Sequence, residues 1–405
     1  MGADDTQATD TGIVGAGTMG TGIAMAVAAA GLSAQIVDSA PEALARGEAT
    51  VETAYRSAVE RGRLSQAEAD ARRGRIAFGG DVSTFADVDL VIEAAFEDLA
   101  VKRAIFAKLG DVVRSGTLLA TNTSSLDIDA VAGDVPYPDR TLGMHFFSPA
   151  NVMKLLEIVR GARTSDDTIA AALRFADRLG KVGVVVGNCD GFVGNRMLLR
   201  YRREAELLLE RGATPAQVDA ALEGFGFAMG PFAVSDLAGL DIAYRSKRER
   251  IARGKGVPFR QSRIPDLLVE SGRLGQKTGS GYYRYESGRR ERLPEPATDA
   301  LIAAERDRLG LVPAKVPDAE IIERCTLALV NEGARILTDG IARAPTDVDA
   351  VWRYGYGFPA ARGGPMAYAA SLDRPALLAR LRSLEQEDPA FWNTGVVEGA
   401  LPQEP

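Results

Sequence analysis

The stretch GIVGAGTMGTGIAMAVAAAGL, residues 12–32, is an apolar run that passes through Gly15, Gly17 and Gly20 straight into an alanine-rich helical sequence. The spacing G-x-G-x-x-G is weak evidence by itself, but a strand before it and a helix after it supply a mechanism. The glycines permit a tight turn and close backbone approach, and the helix start offers N–H groups and a partial positive charge to a pyrophosphate. The turn residues Gly15, Gly17, Thr18, Met19 and Gly20 therefore predict a dinucleotide site. The next apolar run, AQIVD, ends at Asp38, where a carboxylate can accept hydrogen bonds from an adenosine ribose diol. A 2′-phosphate would meet like charge there, and Ser39, Ala40 and Pro41 bring no guanidinium to offset it. NAD is expected rather than NADP.

Outward from this turn, from Thr11 to about Val186, short apolar runs alternate with helical stretches, the signature of a parallel sheet with helices on its faces. The expected fold is an α/β Rossmann-type domain over residues 8–188, followed by a mostly α-helical domain that is duplicated. A long polar segment, residues 41–74, interrupts the alternation and predicts a helical hairpin projecting from the sheet, its surface carrying Arg61, Arg63, Arg72 and Arg73. After Asn188 the apolar period becomes 3.6, giving a helical substrate domain over 189–290. The segment RMLLRYRREAELLLERGATPAQVDAALEGFGFAMGP then realigns with RCTLALVNEGARILTDGIARAPTDVDAVWRYGYGFPAARGGP with small insertions, which predicts a second helical copy over 316–400. In each copy an amphipathic helix ends at glycine (Gly212, Gly340), a VDA helix follows, and an aromatic and glycine-rich turn closes at Pro231 or Pro365.

Length, 405 residues, fits two to three domains, and 46% hydrophobic with 25% charged residues is an ordinary folded composition. A net charge of −7 argues against a general nucleic-acid surface, and no apolar run reaches membrane-spanning length. Cys189 and Cys325 cannot build a disulfide framework, so a reducing cytoplasm is expected. The opening MGADDT fits a loose lipidation pattern without basic support, and EGALPQEP at the other end carries no S-K-L address. No metal is expected.

Polar residues also gather at or near the ends of apolar strands in VIEAAFEDLAVK, LLATNTSSL and GMHFFSPANVMKLLEIV. The last holds His145, the single histidine of the chain, which on the residues alone reads as a core side chain. Together with the nucleotide fingerprint, GFVGNRML, GPFAVSDLAGLD and GQKTGSGYYRY, these motifs resemble the L-3-hydroxyacyl-CoA dehydrogenase family in order and spacing along residues 11–285. Beyond them, EIIERCTLALVNEGARIL and YGYGFPAARGGPM resemble the end of the multifunctional fatty-acid oxidation enzymes, without the hydratase/isomerase half that precedes it there.

This resemblance implies NAD-dependent, reversible oxidation of (S)-3-hydroxyacyl-CoA to 3-oxoacyl-CoA. It makes His145 the general base, with Glu157 to orient the imidazole and stabilise its protonated form. Ser124 and Asn195 would hold the reacting oxygen; on the residues alone they read as a helix N-cap and a helix-start hydrogen bond. Glu97, Lys102, Asn122 and Lys277 match cofactor-contacting positions; without the match Glu97 and Lys102 would be an exposed helix face. Ser148, Asn151 and Gln276 depart from the family's common pattern and bear on substrate contacts. The expected partner is an acyl-CoA thioester, its phosphates met by the hairpin arginines or by the run from Lys247 to Arg263. Glu323 stands where the second copy would need Asn195, so that copy is non-catalytic, and the chain is expected to be a monomeric pseudo-dimer that associates with a separate enoyl-CoA hydratase or thiolase. Two other readings fit the same fold: a dehydrogenase of a hydroxy acid without coenzyme A, and a non-catalytic nucleotide-binding subunit.

Overall fold

The structure, a computed structural model, describes residues 10–133, 135–286, 289 and 291–401; the N-terminal lipidation pattern and the chain after Leu401 lie outside the described residues. Two compact units divide the chain: Met1–Val193 with Gly340–Arg343, and Gly194–Asp339 with Ala344–Pro405.

The first unit is built on one sheet. Its strands are β1 (Thr11–Val14), β2 (Ala34–Val37), β3 (Ile76–Gly79), β4 (Leu90–Glu93), β5 (Leu118–Thr121), β6 (Thr141–Phe146), β7 (Leu155–Arg160) and β8 (Val182–Gly187), in spatial order β3-β2-β1-β4-β5-β6-β7-β8. Helices α1 (Thr18–Ala29), α2 (Pro41–Glu60), α3 (Gln66–Arg73), α4 (Leu99–Val112), α5 (Ile128–Ala132) and α6 (Asp166–Arg178) fill the connections. Neighbouring strands run parallel except β6 and β7. The connection between those two, residues 147–154, is too short for the crossover a parallel pair requires, so the chain returns antiparallel. That return sets His145 directly opposite Glu157. The order turns back on itself between β1 and β4, and in such sheets ligands bind at the carboxyl ends of the strands around that point.

The predicted hairpin forms as α2 and α3 but does not project free. Val51, Tyr55 and Ala69 join the core that also contains Ile23, Ile36 and Ile92. A capping box between Ser65 and Glu68 starts α3, and Arg73 binds Glu48 and Glu52. That arginine is therefore tied to its own hairpin.

The second unit is helical: α7 (Gly194–Arg211), α8 (Pro215–Phe225), α9 (Pro231–Ala238), α10 (Leu240–Ala252), α11 (Ile264–Glu270), α12 (Pro296–Leu309), α13 (Asp318–Thr338), α14 (Pro345–Gly355), α15 (Pro365–Ala370), α16 (Arg374–Glu387) and α17 (Thr394–Ala400). Thr214 caps α8 by accepting from the Gln217 N–H, as the threonine-proline pair predicts. Among the described residues no helix is long and apolar enough to cross a membrane.

Asp349 accepts the N–H groups of Met366 (2.7 Å) and Ala367 (3.1 Å) and so pins the start of α15. Burial pushes its carboxyl up to about 6, against those two donors and Arg353, which favour the ionised form. The group therefore contributes stability that is fully present below its unfolded value near ~4 and lost as pH rises through about 6. Urea unfolding of wild type against Asp349→Asn should accordingly show wild type losing on the order of 2–3 kcal/mol relative to the variant between pH 4 and 7. A difference that stays flat with pH would remove this assignment.

Candidate active site

The turn between β1 and α1 has the shape its glycines require. Gly15 sits at φ +109°, and a Cβ on Gly20 would lie 1.9 Å from the Gly15 carbonyl oxygen, so both positions exclude side chains. No side chain caps the start of α1 and its first turn carries no acidic residue, which suits an anionic pyrophosphate. Asp38 accepts one backbone N–H on each oxygen, from Ala16 at 2.9 Å and Ala40 at 3.0 Å. Each oxygen keeps a further lone pair that can accept from a ribose hydroxyl, so this acceptor fits NAD.

Behind this turn lies a charged cluster built on Glu93 and Lys102. Lys102 is not part of an exposed helix face: its side chain is 1% exposed, and its ammonium donates to both oxygens of fully buried Glu93 at 2.8 and 3.0 Å. It also lies 3.3 Å from Glu97. Glu93, ending β4, was not singled out in the sequence; an acidic residue closing an apolar strand nine positions before a lysine was the available signal. Glu93 further accepts from the Thr121 hydroxyl and the Ala95 N–H, both at 2.7 Å. Buried carboxylates need this degree of pairing.

Glu97 carries the cluster forward to Ser124. It accepts from the Thr123 hydroxyl at 2.6 Å, the Ser124 N–H at 2.8 Å and the Ser124 hydroxyl at 3.3 Å. Burial raises its carboxyl, but the Lys102 ammonium and the Thr123 and Ser124 donors outweigh it and hold the group below the usual range. Ser124 is not a helix N-cap, because Asp127 caps α5. Asn122, beside it, accepts the Phe146 N–H at 2.8 Å and ties the end of β5 to the end of β6.

That tie places the β5 loop next to His145. The imidazole is buried, with Nδ1 2.7 Å from Glu157 Oε2. The rings of Phe147 and Phe192 stand 4.6 and 5.6 Å away. Glu157 is fully buried, and its other oxygen accepts the Val193 N–H at 3.2 Å. A carboxylate on Nδ1 holds the proton there and leaves Nε2 as the basic atom.

The first unit thus brings together the glycine turn, Asp38, Glu97, Lys102, Asn122, Ser124, His145 and Glu157 around the strand ends. Asn195 and Lys277 belong to the second unit. Asn195 lies in the first turn of α7, where its Oδ1 accepts from the Tyr356 hydroxyl at 2.9 Å. Lys277 is half-exposed and ion-paired with Asp241. In the basic run, Lys247 is held by Asp266 at 2.6 Å and Arg260 by Glu210.

Two family descriptions match the chain: 3-hydroxyacyl-CoA dehydrogenase, NAD binding domain, over residues 10–189, and 3-hydroxyacyl-CoA dehydrogenase, C-terminal domain, over residues 191–285. The peroxisomal bifunctional enzyme of Danio rerio is 48% identical over 387 residues, which are 91% of this chain and 52% of that protein. The chain spans about half the length of the curated relatives it matches. Among solved structures, (S)-3-hydroxybutyryl-CoA dehydrogenase PaaH1 of Ralstonia eutropha is 36% identical with TM-score 0.64, covering 69% of this chain and 100% of that one. The 3-hydroxybutyryl-CoA dehydrogenase of Escherichia coli is 28% identical with TM-score 0.84, covering 97% and 98%.

These similarities correct one expectation. Relatives such as the Danio rerio enzyme are named peroxisomal, which overturns the cytoplasmic assignment. The two free cysteines, Cys189 and Cys325, carry no organelle address. A bifunctional relative of twice the length likewise gives no support to a separate hydratase or thiolase partner. With residues 10–189 an NAD-binding domain and the helical match following directly, the chain belongs to the 3-hydroxyacyl-CoA dehydrogenase family.

Proposed function

We propose that this chain oxidises (S)-3-hydroxyacyl-CoA to 3-oxoacyl-CoA with NAD. The observation that carries the reading is the buried His145–Glu157 pair at 2.7 Å, set by strand register at the nucleotide-binding edge of the sheet. Gly15, Gly17, Gly20 and Asp38 hold the cofactor, with Thr18 and Met19 in the same turn. The chemistry NAD would supply, held there, is a hydride acceptor for C3. His145 Nε2 takes the 3-hydroxyl proton, and the resulting imidazolium is stabilised by Glu157. Asn195 donates to the oxygen as it becomes a carbonyl, and Ser124 does so by turning its one hydroxyl proton from Glu97 to the substrate, its backbone N–H staying on Glu97. Glu97 orients Ser124, and Lys102 keeps Glu97 ionised.

The helical duplication is supported by shared wiring. Asp219 accepts the N–H groups of Phe232 and Ala233 at the start of α9, as Asp349 does for Met366 and Ala367 at the start of α15. The position matching Asn195 in the second copy, Glu323, accepts from Arg380 at 2.7 Å. We read the second copy as non-catalytic, packed against the first through α7 and α13 in a pseudo-dimer within one chain.

The reading is tested by following NADH formation with short, medium and long (S)-3-hydroxyacyl-CoA thioesters, with NAD against NADP and with the free hydroxy acids as controls. Turnover is expected to require the thioester and to prefer NAD by roughly tenfold or more, the scale of about 1.4 kcal/mol of repulsion between Asp38 and a 2′-phosphate. Equal turnover of free hydroxy acids, or none with any thioester, would remove it.

A further inference from the structure

The second helical copy has lost the asparagine position, yet it reaches into the first copy at Asn195. The Tyr356 hydroxyl donates to Asn195 Oδ1 at 2.9 Å, and the two residues lie 161 positions apart in the sequence. We infer that Tyr356 is a positioning residue for the dehydrogenase reaction: it fixes the Asn195 carboxamide so that Nδ2, the donating end, is presented to the reacting oxygen. The inference rests on the role proposed above for Asn195.

Three features hold the Tyr356 ring in place. It stacks on Trp352 at 4.7 Å and 21°, and Trp352 is itself fully buried and met edge-on by Tyr201 at 5.5 Å. The backbone closes on the same tryptophan, with the Tyr356 and Phe358 N–H groups both donating to its carbonyl, at 3.2 and 2.9 Å. Beside the hydroxyl, a Cβ on Gly194 would lie 2.7 Å from both Tyr356 Oη and Cε2. Glycine at the residue before Asn195 therefore gives the tyrosine its approach. An amide that could turn about its last torsion is held by a donor that cannot readily move.

The comparison between copies shows that the hydroxyl is not needed for the turn. In the first copy the Phe227 N–H donates to the Leu222 carbonyl at 3.1 Å, the counterpart of Phe358 to Trp352. The first turn closes over five residues and the second over six, and the aromatic that precedes the turn glycine is Phe225, without a hydroxyl, in the first copy and Tyr356 in the second. The second copy thus carries an oxygen at a position where an unadorned ring suffices for folding, and that oxygen meets Asn195. An asparagine whose Oδ1 is already engaged offers its reacting partner one face, with donors only, which suits an oxygen that gains carbonyl character.

Tyr356→Phe keeps the stack on Trp352 and the packing against Gly194 while removing the donor. Its kcat with (S)-3-hydroxyacyl-CoA is expected to fall about tenfold, equivalent to one oriented hydrogen bond, with NADH affinity and the thermal unfolding midpoint unchanged. In an Asn195→Ala background the same substitution should change kcat by less than about twofold, because its effect passes through the asparagine. The Asn195 side-chain amide resonances should also move in Tyr356→Phe, a readout independent of turnover. An unchanged kcat in Tyr356→Phe, or an equal loss with and without Asn195, overturns the inference while leaving the functional reading intact. A wild-type protein with no thioester-dependent turnover, or an Asn195→Ala variant with full kcat, overturns that reading and this inference together.

Discussion

Glutamine in place of His145 is expected to lower kcat for NADH formation by ~100-fold or more, the usual scale of general base catalysis, while leaving NADH affinity within about twofold. The reasoning starts from the register that pairs β6 with β7. Residue 145 faces residue 157 across the antiparallel ladder, so Glu157 meets Nδ1 at 2.7 Å and the imidazole has one orientation. Glutamine can still donate to Glu157, so the buried carboxylate keeps a partner and the pair's collapse is not what the variant measures. What glutamine cannot do is accept a proton from the substrate hydroxyl and hold it. Asp38 and the glycine turn are untouched, which is why cofactor affinity should persist. Steady-state NADH formation with the thioester, set beside a fluorescence titration with NADH, separates the two effects. A His145→Gln protein retaining more than about a tenth of wild-type kcat would mean that the proton leaves by another group.

Much of this site was legible before any coordinates. The glycine turn, Asp38 and the strand-to-helix alternation rest on local chemistry, and local chemistry is written in adjacent residues. The His145–Glu157 relation needed more. In sequence the two lie twelve residues apart with a proline between, and neither KLLEIV, which forms β7, nor RIAFGG, which forms β3, stands out as a strand. Both runs are short, and one sits beside the helical hairpin while the other returns antiparallel in a sheet otherwise read as parallel. Without β7 the pairing could be drawn only from family resemblance. Long-range partners were the least accessible. Nothing near Lys102 says that it is buried, because α4 carries an ordinary mixture of lysine, arginine and apolar residues. Its burial follows from Glu93 at the end of a central strand, which fixes where an ammonium must go. Tyr356 is hidden for the same reason: its partner lies on a different helix of the helical unit, and a glycine at 194 reads as a helix start until the aromatic ring that needs the space is seen.

Lys102 is where that hidden partnership has its largest expected consequence for stability. Methionine at this position matches the length of the lysine stem and fills the same space, but it removes the cation between Glu93 and Glu97. Glu93 would keep the Thr121 hydroxyl and the Ala95 N–H and would lose its only ion-pair partner among the described residues. Breaking one side of a buried pair leaves an uncompensated charge, and Lys102→Met is expected to cost about 3–5 kcal/mol in urea unfolding. Adding Glu93→Gln should recover part of that loss, since a neutral amide no longer needs the ammonium, and the two substitutions should be strongly non-additive. Setting Glu97→Gln beside Lys102→Met separates two accounts of how Lys102 would serve the cofactor in the function proposed above. If the lysine acts through Glu97, by keeping it ionised and hydrogen-bonded to Ser124, then Glu97→Gln should weaken NADH binding and Lys102→Met should add little in that background. If the ammonium touches the nucleotide itself, the two losses add. Because three of its contacts are to carboxylate oxygens at 2.8 to 3.3 Å, the indirect account is the one expected. A Lys102→Met protein that lost less than about 1 kcal/mol would show instead that water or a rearranged Glu93 replaces the ammonium at little cost.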